Sequence, residues 1–531
     1  MTKLVFLNLY PDDTIARYLL SSYNLSACVH EYYPGISGME IKILNFSRDT
    51  PTENIVTALR EECADIISYS CYVWNVNRII EAAGQIESPK GPVQVFGGPE
   101  ITTEKIQSSF SGFRNDAFFV TGEGEKKFVE LLKYLDTRNK NPDQPLPNGI
   151  ACWKGDSVIY TPEKNVITNL DEIPSIYLNQ YIDPRLYAYQ QAFLETQRGC
   201  RYKCKYGVYP KNNNKLSYYS LDRVCKELDY LIIDKKIKAL RIFDAIFTSD
   251  LERAKKIVQH LISIHKQGIT LPWIYWEITY DSVDEEFVKL AGQLKTRELI
   301  RNNEDLMALD RPQHYSDMLN GYTAINCIGI QSFNKGTLRA TGLPRFNPER
   351  FKTFIETVNK HNIVLKIDII LGLPVETMDT YFSGLDYLLH FFEGTDHVLN
   401  IRRLQILQGS TMEKEAGKYS IEYSHETPHF TLSTENITRD EMAESARLSA
   451  LLFRIINSPL RSQFYTLKGQ STISLKFLMM NIRSMLVKIP QIKNTTLFTA
   501  DLIDDNYWNN RIYRDIPSAI LSDLLNEMIA Q

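Results

Sequence analysis

Residues 195–211 read ETQRGCRYKCKYGVYPK and place two cysteines, Cys200 and Cys204, four positions apart. Thiolates spaced in this way on a tight loop can hold irons of one iron–sulfur cluster or a zinc ion. The stretch contains no histidine and no further cysteine, so a zinc ion would lack two of its four ligands. The pair alone is a weak indication, and its meaning depends on the segments around it.

The cysteine loop follows a predicted strand and opens a series of strands and helices. From residue 189 to residue 411, apolar stretches typical of strands alternate with stretches of helical periodicity. Six strand–helix units can be counted, which is fewer than the eight of a closed TIM barrel. The sequence therefore predicts a partial (β/α)6 TIM-like barrel for residues 189–411.

A second alternating series precedes the loop. Short apolar runs occur at residues 3–9, 40–46, 64–71, 92–98 and 116–122, with predicted helices near 52–62, 75–87, 101–109 and 124–135. This pattern is typical of a parallel sheet with right-handed crossovers, and it predicts a doubly wound, Rossmann-like domain over residues 1–138. Such sheets bind ligands in the loops at the carboxyl ends of their strands. Those loops read NLYPDD, SYSCYVWN, FGGPE and TGEGE.

The remaining segments complete an α/β chain of several domains. Residues 139–188 are polar and rich in proline, and we predict a linker that contains a small β piece. Residues 412–531 place apolar side chains at helical spacing, which predicts a mainly helical carboxy-terminal domain.

The composition is ordinary for a globular protein, with 44% hydrophobic and 23% charged residues and a net charge of −4. No long basic run is present, so the sequence predicts no nucleic-acid partner and no membrane partner. No apolar run approaches the ~18 residues of a membrane span, and the amino terminus lacks a signal-peptide pattern. The eight cysteines are scattered rather than paired, which favours a cytoplasmic location.

Residues 199–210 resemble the cluster loop of the radical S-adenosylmethionine (SAM) enzymes, whose pattern is Cys-x3-Cys-x-aromatic-Cys. Cys200, Cys204 and Tyr206 match this pattern, and Gly207 stands at the position of the third cysteine. Other segments resemble the members that carry a cobalamin-binding domain. They are YSCYVWN, VFGGPE and VTGEGEKKFVELL in the first domain, and FDAIFTSD, GIQSFNKGTL, DIILGLPVET and QILQGSTM in the barrel.

The resemblance implies three cofactors, namely a [4Fe–4S] cluster, SAM and cobalamin. Cys200 and Cys204 would ligate the cluster, whose reduction cleaves SAM to methionine and a 5′-deoxyadenosyl radical. The implied SAM contacts are Asp244, Glu277, Gln331, Ser332, Leu371, Gly372 and Leu373, of which the last three would cover the adenine. Asp244 could instead contact the substrate, and both Asp244 and Glu277 could be structural partners within the barrel.

For the first domain, the resemblance implies a cobalamin crevice lined by Ser70, Tyr72, Trp74, Asn75, Gly97, Gly98, Glu100, Gly122 and Glu123. Many cobalamin domains supply a histidine to the metal from an Asp-x-His-x-x-Gly loop after the first strand. The corresponding loop here, NLYPDDTIA, has no histidine, and His30 lies outside such a motif. Tyr72 and Trp74 could also be ordinary core aromatics.

Gly207 leaves two interpretations of the activity open. The chain is either a working enzyme that holds its cluster in an altered way, or a relative that has lost the cluster. Cys225 is a candidate for a replacement ligand, but it is in phase with Leu221 and Val224 on a predicted helix, which favours a packing role.

The leading prediction is a cobalamin-dependent radical SAM enzyme that methylates or rearranges an unactivated carbon centre. Its substrate would be a small molecule or a peptide, and its electron donor a protein such as flavodoxin or ferredoxin. The alternative is a cluster-deficient relative that binds cobalamin or SAM and carries out non-radical chemistry or none. Neither the substrate nor a catalytic side chain can be identified from the sequence.

Overall fold

The computed structural model describes residues 2–10, 20–87, 91–114, 116–141, 143–162, 167–183, 191–208, 215–294, 325–500 and 512–530. The chain forms two compact units. The first comprises residues 1–199 and 208–239, and the second comprises residues 200–207 and 240–531. The cysteine loop therefore belongs to the second unit, although the chain on either side of it belongs to the first.

The first unit contains a seven-stranded sheet. Its strands are β1 (Thr2–Tyr10), β2 (Met39–Ser47), β3 (Ile66–Ser70), β4 (Val93–Gly97), β5 (Ala117–Val120), β6 (Ile150–Lys154) and β7 (Ser157–Tyr160). They lie in the order β2–β1–β3–β4–β5–β6–β7. The strands from β2 to β5 pair in parallel, and the β6–β7 hairpin continues the sheet antiparallel to β5.

In the described part of the first unit, five helices follow the parallel strands, and the first four connect each parallel strand to the next one. They are α1 (Leu20–Tyr32), α2 (Thr52–Glu61), α3 (Val76–Gly84), α4 (Thr103–Ser109) and α5 (Glu125–Thr137). The chain moves from β1 outward to β2 and then returns to β3 on the other side of β1. This reversal opens a crevice at the carboxyl ends of β1 and β3, the usual ligand position in doubly wound sheets.

Smaller elements complete the first unit. They are β8 (Gln191–Leu194), β9 (Gln197–Arg198), β10 (Ser217–Tyr218) and α6 (Leu221–Asp229). The strands β9 and β10 pair antiparallel, so they join the two chain segments that flank the cysteine loop. Helix α6 begins after Ser220, whose hydroxyl accepts the N–H of Arg223.

The second unit contains a parallel sheet covered by helices. The sheet has six strands, which lie side by side in chain order: β8, β11 (Ala239–Ile242), β12 (Trp273–Ile278), β13 (Ile325–Gln331), β14 (Leu365–Leu371) and β15 (Val398–Arg403). The helices between and after them are α7 (Leu251–Lys266), α8 (Glu285–Ala291), α9 (Lys335–Thr341), α10 (Pro348–Lys360) and α11 (Met378–Leu389). Asp250 and Asp284 cap α7 and α8 with their carboxylates, and Thr377 forms a capping box at α11.

The carboxy-terminal part is mainly helical. It contains α12 (Thr411–Glu415), a hairpin of β16 (Glu422–Tyr423) and β17 (Thr431–Ser433), and the helices α13 (Arg439–Ile456), α14 (Arg461–Gln470), α15 (Leu475–Leu486), α16 (Thr496–Thr499), α17 (Ile512–Asp515) and α18 (Ser518–Ala530). Among the described helices, none combines the length and the hydropathy that a membrane crossing requires.

The predicted α/β architecture is confirmed, but several elements differ from the prediction. The hairpin at residues 150–160, predicted as part of a linker, is hydrogen-bonded to β5 and extends the first sheet. The six strands predicted for the barrel are confirmed, since β8 and β11 to β15 form one six-stranded sheet with β8 at its edge. Helices α1, α9 and α14 were not predicted. In α1 the inward face carries small polar residues such as Ser22 and Ser26, so no apolar stripe marks this helix.

Asn457, which follows α13, completes the hydrogen bonding of strand β15. Its side-chain carbonyl accepts the N–H of Leu399 at 3.0 Å, and its amide donates to the carbonyl of Leu399 at 2.7 Å. Both residues are buried. The asparagine thus satisfies backbone groups that the last strand of the sheet would otherwise leave without partners.

We expect Asn457→Ala to lower the free energy of unfolding by about 3 kcal/mol, because two buried backbone groups lose their partners. Urea unfolding of the full chain measures this difference. Asn436→Ala, at an exposed position, serves as the control and should change stability by less than about 0.5 kcal/mol. Equal losses in the two variants would contradict the role assigned to Asn457.

Candidate cofactor sites

A buried polar network lies in the crevice at the ends of β1 and β3. Asn8 is fully buried, donates to the Asn45 side chain at 2.9 Å and accepts the Ser22 hydroxyl. The Ser70 hydroxyl lies 3.2 Å from that of Ser22 and 3.3 Å from that of Ser21. Ser70 was predicted from the sequence. The others were missed because they are common residue types near a helix that the sequence did not reveal.

Asn75 holds the two sides of this crevice together. Its amide donates to the carbonyl of Leu9 at 3.1 Å and to that of Ser70 at 3.0 Å, and its side-chain carbonyl accepts the N–H of Tyr72 at 2.7 Å. Both amide hydrogens are therefore used within the protein. This predicted cofactor contact joins β1 to β3 and positions the loop that follows β3.

Tyr72 and Trp74 form a half-buried aromatic pair beside the crevice. Their rings stack with centroids 4.5 Å apart and planes 9° apart. The Tyr72 hydroxyl donates to Ser21 at 3.2 Å, and the Trp74 indole N–H reaches the carbonyl of Leu9 at 3.4 Å. Neither residue is a fully buried core aromatic, so both could face a ligand.

The loop after β4 contains Gly98 and Glu100, which have structural partners. A Cβ atom on Gly98, where φ is +116°, would lie 2.4 Å from the carbonyl oxygen of Cys71. Glycine is thus required by the neighbouring loop, whether or not a ligand is present. The Glu100 carboxylate forms a buried ion pair with Lys105 at 2.6 Å. Gly97 has more room, since the nearest atom to its Cβ position is 3.7 Å away.

Glu123, in the loop after β5, belongs to a cluster of carboxylates around Arg198. The guanidinium of Arg198 lies 3.4 Å from Glu123, 2.6 Å from Glu125 and 2.9 Å from Glu195. Burial raises the pKa of Glu123 and of Glu195 above their usual value. Because three carboxylates share one guanidinium, this cluster favours the uptake of a proton.

Gly122 and His30 lie at a turn after β5 and at the end of α1, respectively. Gly122 has a φ of +68°, a conformation that favours glycine and turns the chain at the end of β5. His30 lies in the last turn of α1 and stacks on Tyr181 with centroids 5.1 Å apart. Since α1 starts near the carboxyl end of β1 and runs back along the sheet, His30 lies far from the crevice.

In the second unit, Cys200 and Cys204 lie together in the loop of residues 200–207 and are half-buried. Burial raises the pKa of Cys204, and the nearby charge of Cys200 raises it further, while a hydrogen bond from Tyr206 acts in the opposite direction. Burial likewise raises the pKa of Cys200, with a smaller contribution from Glu277. The two thiols therefore share one partly enclosed position near strand β12.

The backbone of Lys205 anchors this loop. Its N–H donates to the carbonyl of Thr341 at 2.8 Å, and its carbonyl accepts the N–H of Met412 at 2.8 Å. Its ammonium group pairs with Glu415 at 2.8 Å. The loop is thus held between the end of α9 and the start of α12.

Two further contacts fix the first half of the loop. The Tyr202 hydroxyl donates to the Asp281 carboxylate at 2.8 Å, just beyond the carboxyl end of β12. A Cβ atom on Gly342 would lie 2.8 Å from the carbonyl oxygen of Lys203, so the loop packs closely on the glycine that ends α9. The cysteines are therefore held at the edge of the sheet where its strands end.

Gly207 faces open space. A Cβ atom at this position would meet no atom of the described residues within 4 Å, and the φ angle of Gly207 is not positive. Across the ranges that the structure describes, no three His, Cys, Asp or Glu side chains are grouped so that they could hold a metal ion. The loop thus offers two thiols and a vacant third position. Cys225 is half-buried on α6 in the first unit, next to the buried Val224.

Asp244 and Glu277, predicted at strand ends, differ in environment. Asp244 is buried two residues after β11. The Glu277 side chain on β12 is solvent-accessible, yet protein atoms surround it closely enough that burial raises the pKa of its carboxyl. The negative charge of Asp368 raises that pKa further, and the Tyr275 hydroxyl donates to Glu277 at 3.3 Å.

Strained backbone marks the ends of β13 and β14. Gln331, the last residue of β13, has a φ of +68°, and Val375, in the loop after β14, has a φ of +69°. A β-branched residue is rare in this conformation, and such strain clusters at binding sites. Within the ranges that the structure describes, the buried Oε1 atom of Gln331 has no hydrogen-bond partner, which leaves a polar atom available for a ligand.

Leu371, Gly372 and Leu373 have close protein neighbours. The side chains of Leu371 and Leu373 are fully buried in the core. A Cβ atom on Gly372, where φ is +91°, would lie 3.2 Å from the Cε of Met442 on α13. The side chains of this segment therefore pack internally, and its backbone remains the part that could contact a ligand.

Glu376 was missed by the sequence analysis, although it lies in the quoted segment DIILGLPVET. Its carboxylate is 2% exposed and accepts the Ser332 hydroxyl at 2.8 Å. Ser332 in turn accepts the N–H of Asn334 at 3.0 Å. Burial raises the pKa of Glu376 to about 7. This pair joins the two strained loops after β13 and β14.

Comparisons with known proteins agree with this geometry. No protein-family model matches the chain. It is 23% identical over 359 residues to the cobalamin-dependent radical SAM methyltransferase TokK of Streptomyces tokunonensis. It is 24% identical over 368 residues to the 2-(S-pantetheinyl)-carbapenam-3-carboxylate methyltransferase of Streptantibioticus cattleyicolor. Each match covers 66% of this chain, which spans about half the length of these curated relatives.

Two solved structures have a similar fold. The cobalamin-dependent SAM radical enzyme OxsB with aqua-cobalamin bound has a TM-score of 0.62 at 16% identity, with 100% of this chain and 80% of that chain covered. The radical SAM methyltransferase TsrM from Kitasatospora setae, with cobalamin and a [4Fe–4S] cluster bound, has a TM-score of 0.57 at 15% identity, with 81% and 82% covered. The chain is thus similar in sequence to proteins named cobalamin-dependent radical SAM methyltransferases and shares the fold of these solved structures, as the motifs predicted.

The pKa of Glu376 leads to a pH-dependent difference in stability. Because the folded protein holds this proton more tightly than the unfolded chain, stability should fall as pH rises from about 4.5 to about 7 and stay level above that. The total change is on the order of 3 kcal/mol. Glu376→Gln cannot ionise and should lack this change.

Urea unfolding of both proteins at pH 5 and pH 8 measures the effect. The stability of Glu376→Gln relative to the wild type should improve by about 2–3 kcal/mol at the higher pH. Glu349→Gln, at an exposed position, is the control and should show no such trend. A pH-independent gap between wild type and Glu376→Gln would show that Glu376 ionises normally in the folded protein.

Proposed function

We propose that this protein is a cobalamin-dependent radical SAM enzyme that methylates or rearranges an unactivated carbon centre of a small molecule. The observation that carries the proposal is the fixed loop of Cys200 and Cys204 at the carboxyl edge of the second sheet. The names of the two curated relatives, both methyltransferases, favour methyl transfer.

Cys200 and Cys204 would hold the [4Fe–4S] cluster. The two thiols share one partly enclosed position, and the open space beside Gly207 leaves room for the cluster body. Burial raises the pKa of both thiols, and coordinated iron would reverse this by stabilising the thiolates. When bound and reduced, such a cluster supplies electrons for the cleavage of SAM.

The strand ends beside the loop would bind SAM. Gln331 offers an unpartnered Oε1 atom that could accept a hydrogen bond from an amino or hydroxyl group. The Glu376–Ser332 pair would hold the loop after β13 in position. Glu277, Asp244 and the backbone of Leu371, Gly372 and Leu373 stay in the proposed SAM site on the resemblance alone.

Cobalamin would occupy the crevice of the first unit. The hydroxyls of Ser21, Ser22 and Ser70 are grouped there, and the stacked pair of Tyr72 and Trp74 offers a flat apolar surface beside them. Gly97, Gly98, Gly122, Glu100 and Glu123 would shape or flank the crevice. The cobalt would take no histidine from the loop after β1, since that part of the sequence contains none.

The substrate and the electron donor are further parts of the proposal. The TsrM structure with a SAM analogue contains tryptophan as its substrate, which supports a small molecule for this chain as well. A flavodoxin or ferredoxin would supply electrons to the cluster. A cytoplasmic location would provide such donors.

Gly207 supports a second candidate, namely a cluster-free protein that binds cobalamin or SAM. Two thiolates anchor a cluster less firmly than three, so the cluster could have been lost without any change of fold. Anaerobic iron and sulfide analysis separates the two candidates. About four irons per chain would eliminate the cluster-free protein.

Gly207→Cys should strengthen cluster binding, because the added Cβ meets no described atom within 4 Å and the cysteine supplies the third thiolate. After anaerobic reconstitution, we expect the iron and sulfide content and the visible charge-transfer absorbance to rise and to persist on gel filtration. Gly207→Ser fills the same space without a thiol and is the matched control. If Gly207→Cys and Gly207→Ser retain equal iron, the third position is not the weak point of the loop.

With reductant, SAM and cobalamin, the reconstituted protein should release 5′-deoxyadenosine or S-adenosylhomocysteine, which mass spectrometry detects. Cys204→Ala removes one of the two anchors and should abolish this release. Wild-type protein that carries a full cluster, yet releases neither product, would refute the proposed enzyme.

A further inference from the structure

The face of the second sheet that carries Glu277 is unusually polar. Because side chains alternate along each strand, Glu277 shares its face with Tyr275 on β12. The register places Glu277, Cys327 of β13 and Lys366 of β14 in one row. On β14, Ile367 and Ile369 alternate with Lys366, lie on the opposite face and are buried and apolar. Barrel interiors are normally filled by bulky apolar side chains, so a polar face of the sheet is unusual.

Two cations on this face lie over the same aromatic ring. The guanidinium carbon of Arg241 on β11 lies 4.6 Å from the centroid of the Tyr275 ring, and the ammonium nitrogen of Lys366 lies 5.5 Å from it. In the parts of the chain that the structure describes, no carboxylate oxygen lies within 4.0 Å of either cation. The ring face is thus the close partner that the two positive charges share.

The nearby carboxylates of Glu277 and Asp368 have hydrogen-bond donors within the protein. Glu277 accepts the Tyr275 hydroxyl at 3.3 Å, and Asp368 accepts the Asn400 amide at 2.8 Å. Each carboxylate therefore has a hydrogen-bond donor within the protein. Among the described residues, no hydrogen-bond acceptor faces the side-chain N–H groups of Arg241 and Lys366, so both cations keep donors for an added anion.

The face is also accessible. The ring centroid of Phe243 lies 5.8 Å from the guanidinium carbon of Arg241, and this side chain is 42% exposed. Glu277 is exposed as well. Arg241 and Lys366 are half-exposed. The positive charges of Lys366 and Arg241 act on the Glu277 carboxyl, yet neither cation forms an ion pair within 4.0 Å among the described residues. An exposed aromatic ring beside two such cations is the composition of a ligand pocket rather than of a packed core.

We propose that Arg241 and Lys366 bind an anionic group of the substrate, a carboxylate or a phosphate, against the faces of Tyr275 and Phe243. This assignment gives the substrate class of the proposed enzyme, so it rests on the proposed function. Lys366 lies in the same row as Glu277, whose charge acts on Cys200. An anionic group held there would place the rest of the substrate toward the carboxyl ends of the strands, where the cysteine loop lies.

Binding of simple anions to the purified full chain tests the assignment. Sodium phosphate and sodium succinate are titrated at constant ionic strength, with chloride as the balancing salt, and the rise in Tm is followed. We expect saturable stabilisation by at least one of them, and the two salts distinguish a phosphate site from a carboxylate site. Arg241→Met and Lys366→Met should each raise the half-saturating concentration about tenfold or more.

Lys352→Met removes an exposed lysine of α10 and should leave the titration unchanged. If a methionine variant does not fold, Arg241→Lys and Lys366→Gln decide: the first should retain binding and the second should lose it. Absence of saturable binding by the wild type, or equal binding by the wild type and the charge-removing variants, would overturn the assignment.

This experiment requires neither a reduced cluster nor SAM. Anion binding in a protein that never cleaves SAM would refute the proposed function and leave an anion site in place. Cleavage of SAM by a protein that shows no anion site would refute this inference alone.

Discussion

The second unit depends on how the chain holds the loop of Cys200 and Cys204. This loop has no regular secondary structure of its own, so its position is set by the hydrogen bonds of Lys205 to Thr341 and Met412. Those partners belong to α9 and α12, which are far from the loop in sequence. The loop belongs to the second unit while its flanking segments belong to the first, so these contacts decide where the thiols lie.

The physical reason for a glycine differs between positions 98, 342 and 207 of this protein. Gly98 and Gly342 are required because neighbouring backbone would clash with a Cβ atom, at 2.4 Å from Cys71 and 2.8 Å from Lys203 respectively. Gly207 has no such neighbour, so neither space nor backbone conformation demands a glycine there. The departure from the cluster pattern therefore concerns ligands and leaves the fold unaffected.

Much of the fold could be predicted from the sequence because its strands are apolar and its helices are periodic. The exceptions have physical causes. Helix α1 buries Ser22, which hydrogen-bonds to Asn8 and Ser70, and Ser26, so its inner face has no hydrophobic signal. The hairpin at residues 150–160 was separated from the first sheet because the pairing of β5 with β6 is a contact between distant segments.

The sequence by itself determined the class of fold and the resemblance of residues 199–210 to a cluster loop, since both rest on local patterns of residue type and spacing. The tertiary structure alone decided which predicted residues are available to a ligand. Glu100 is paired with Lys105, and Asn75 is used to join two strands, whereas Gln331 retains an unpartnered oxygen. A side chain's partners come from segments distant in the chain, and no local pattern encodes them.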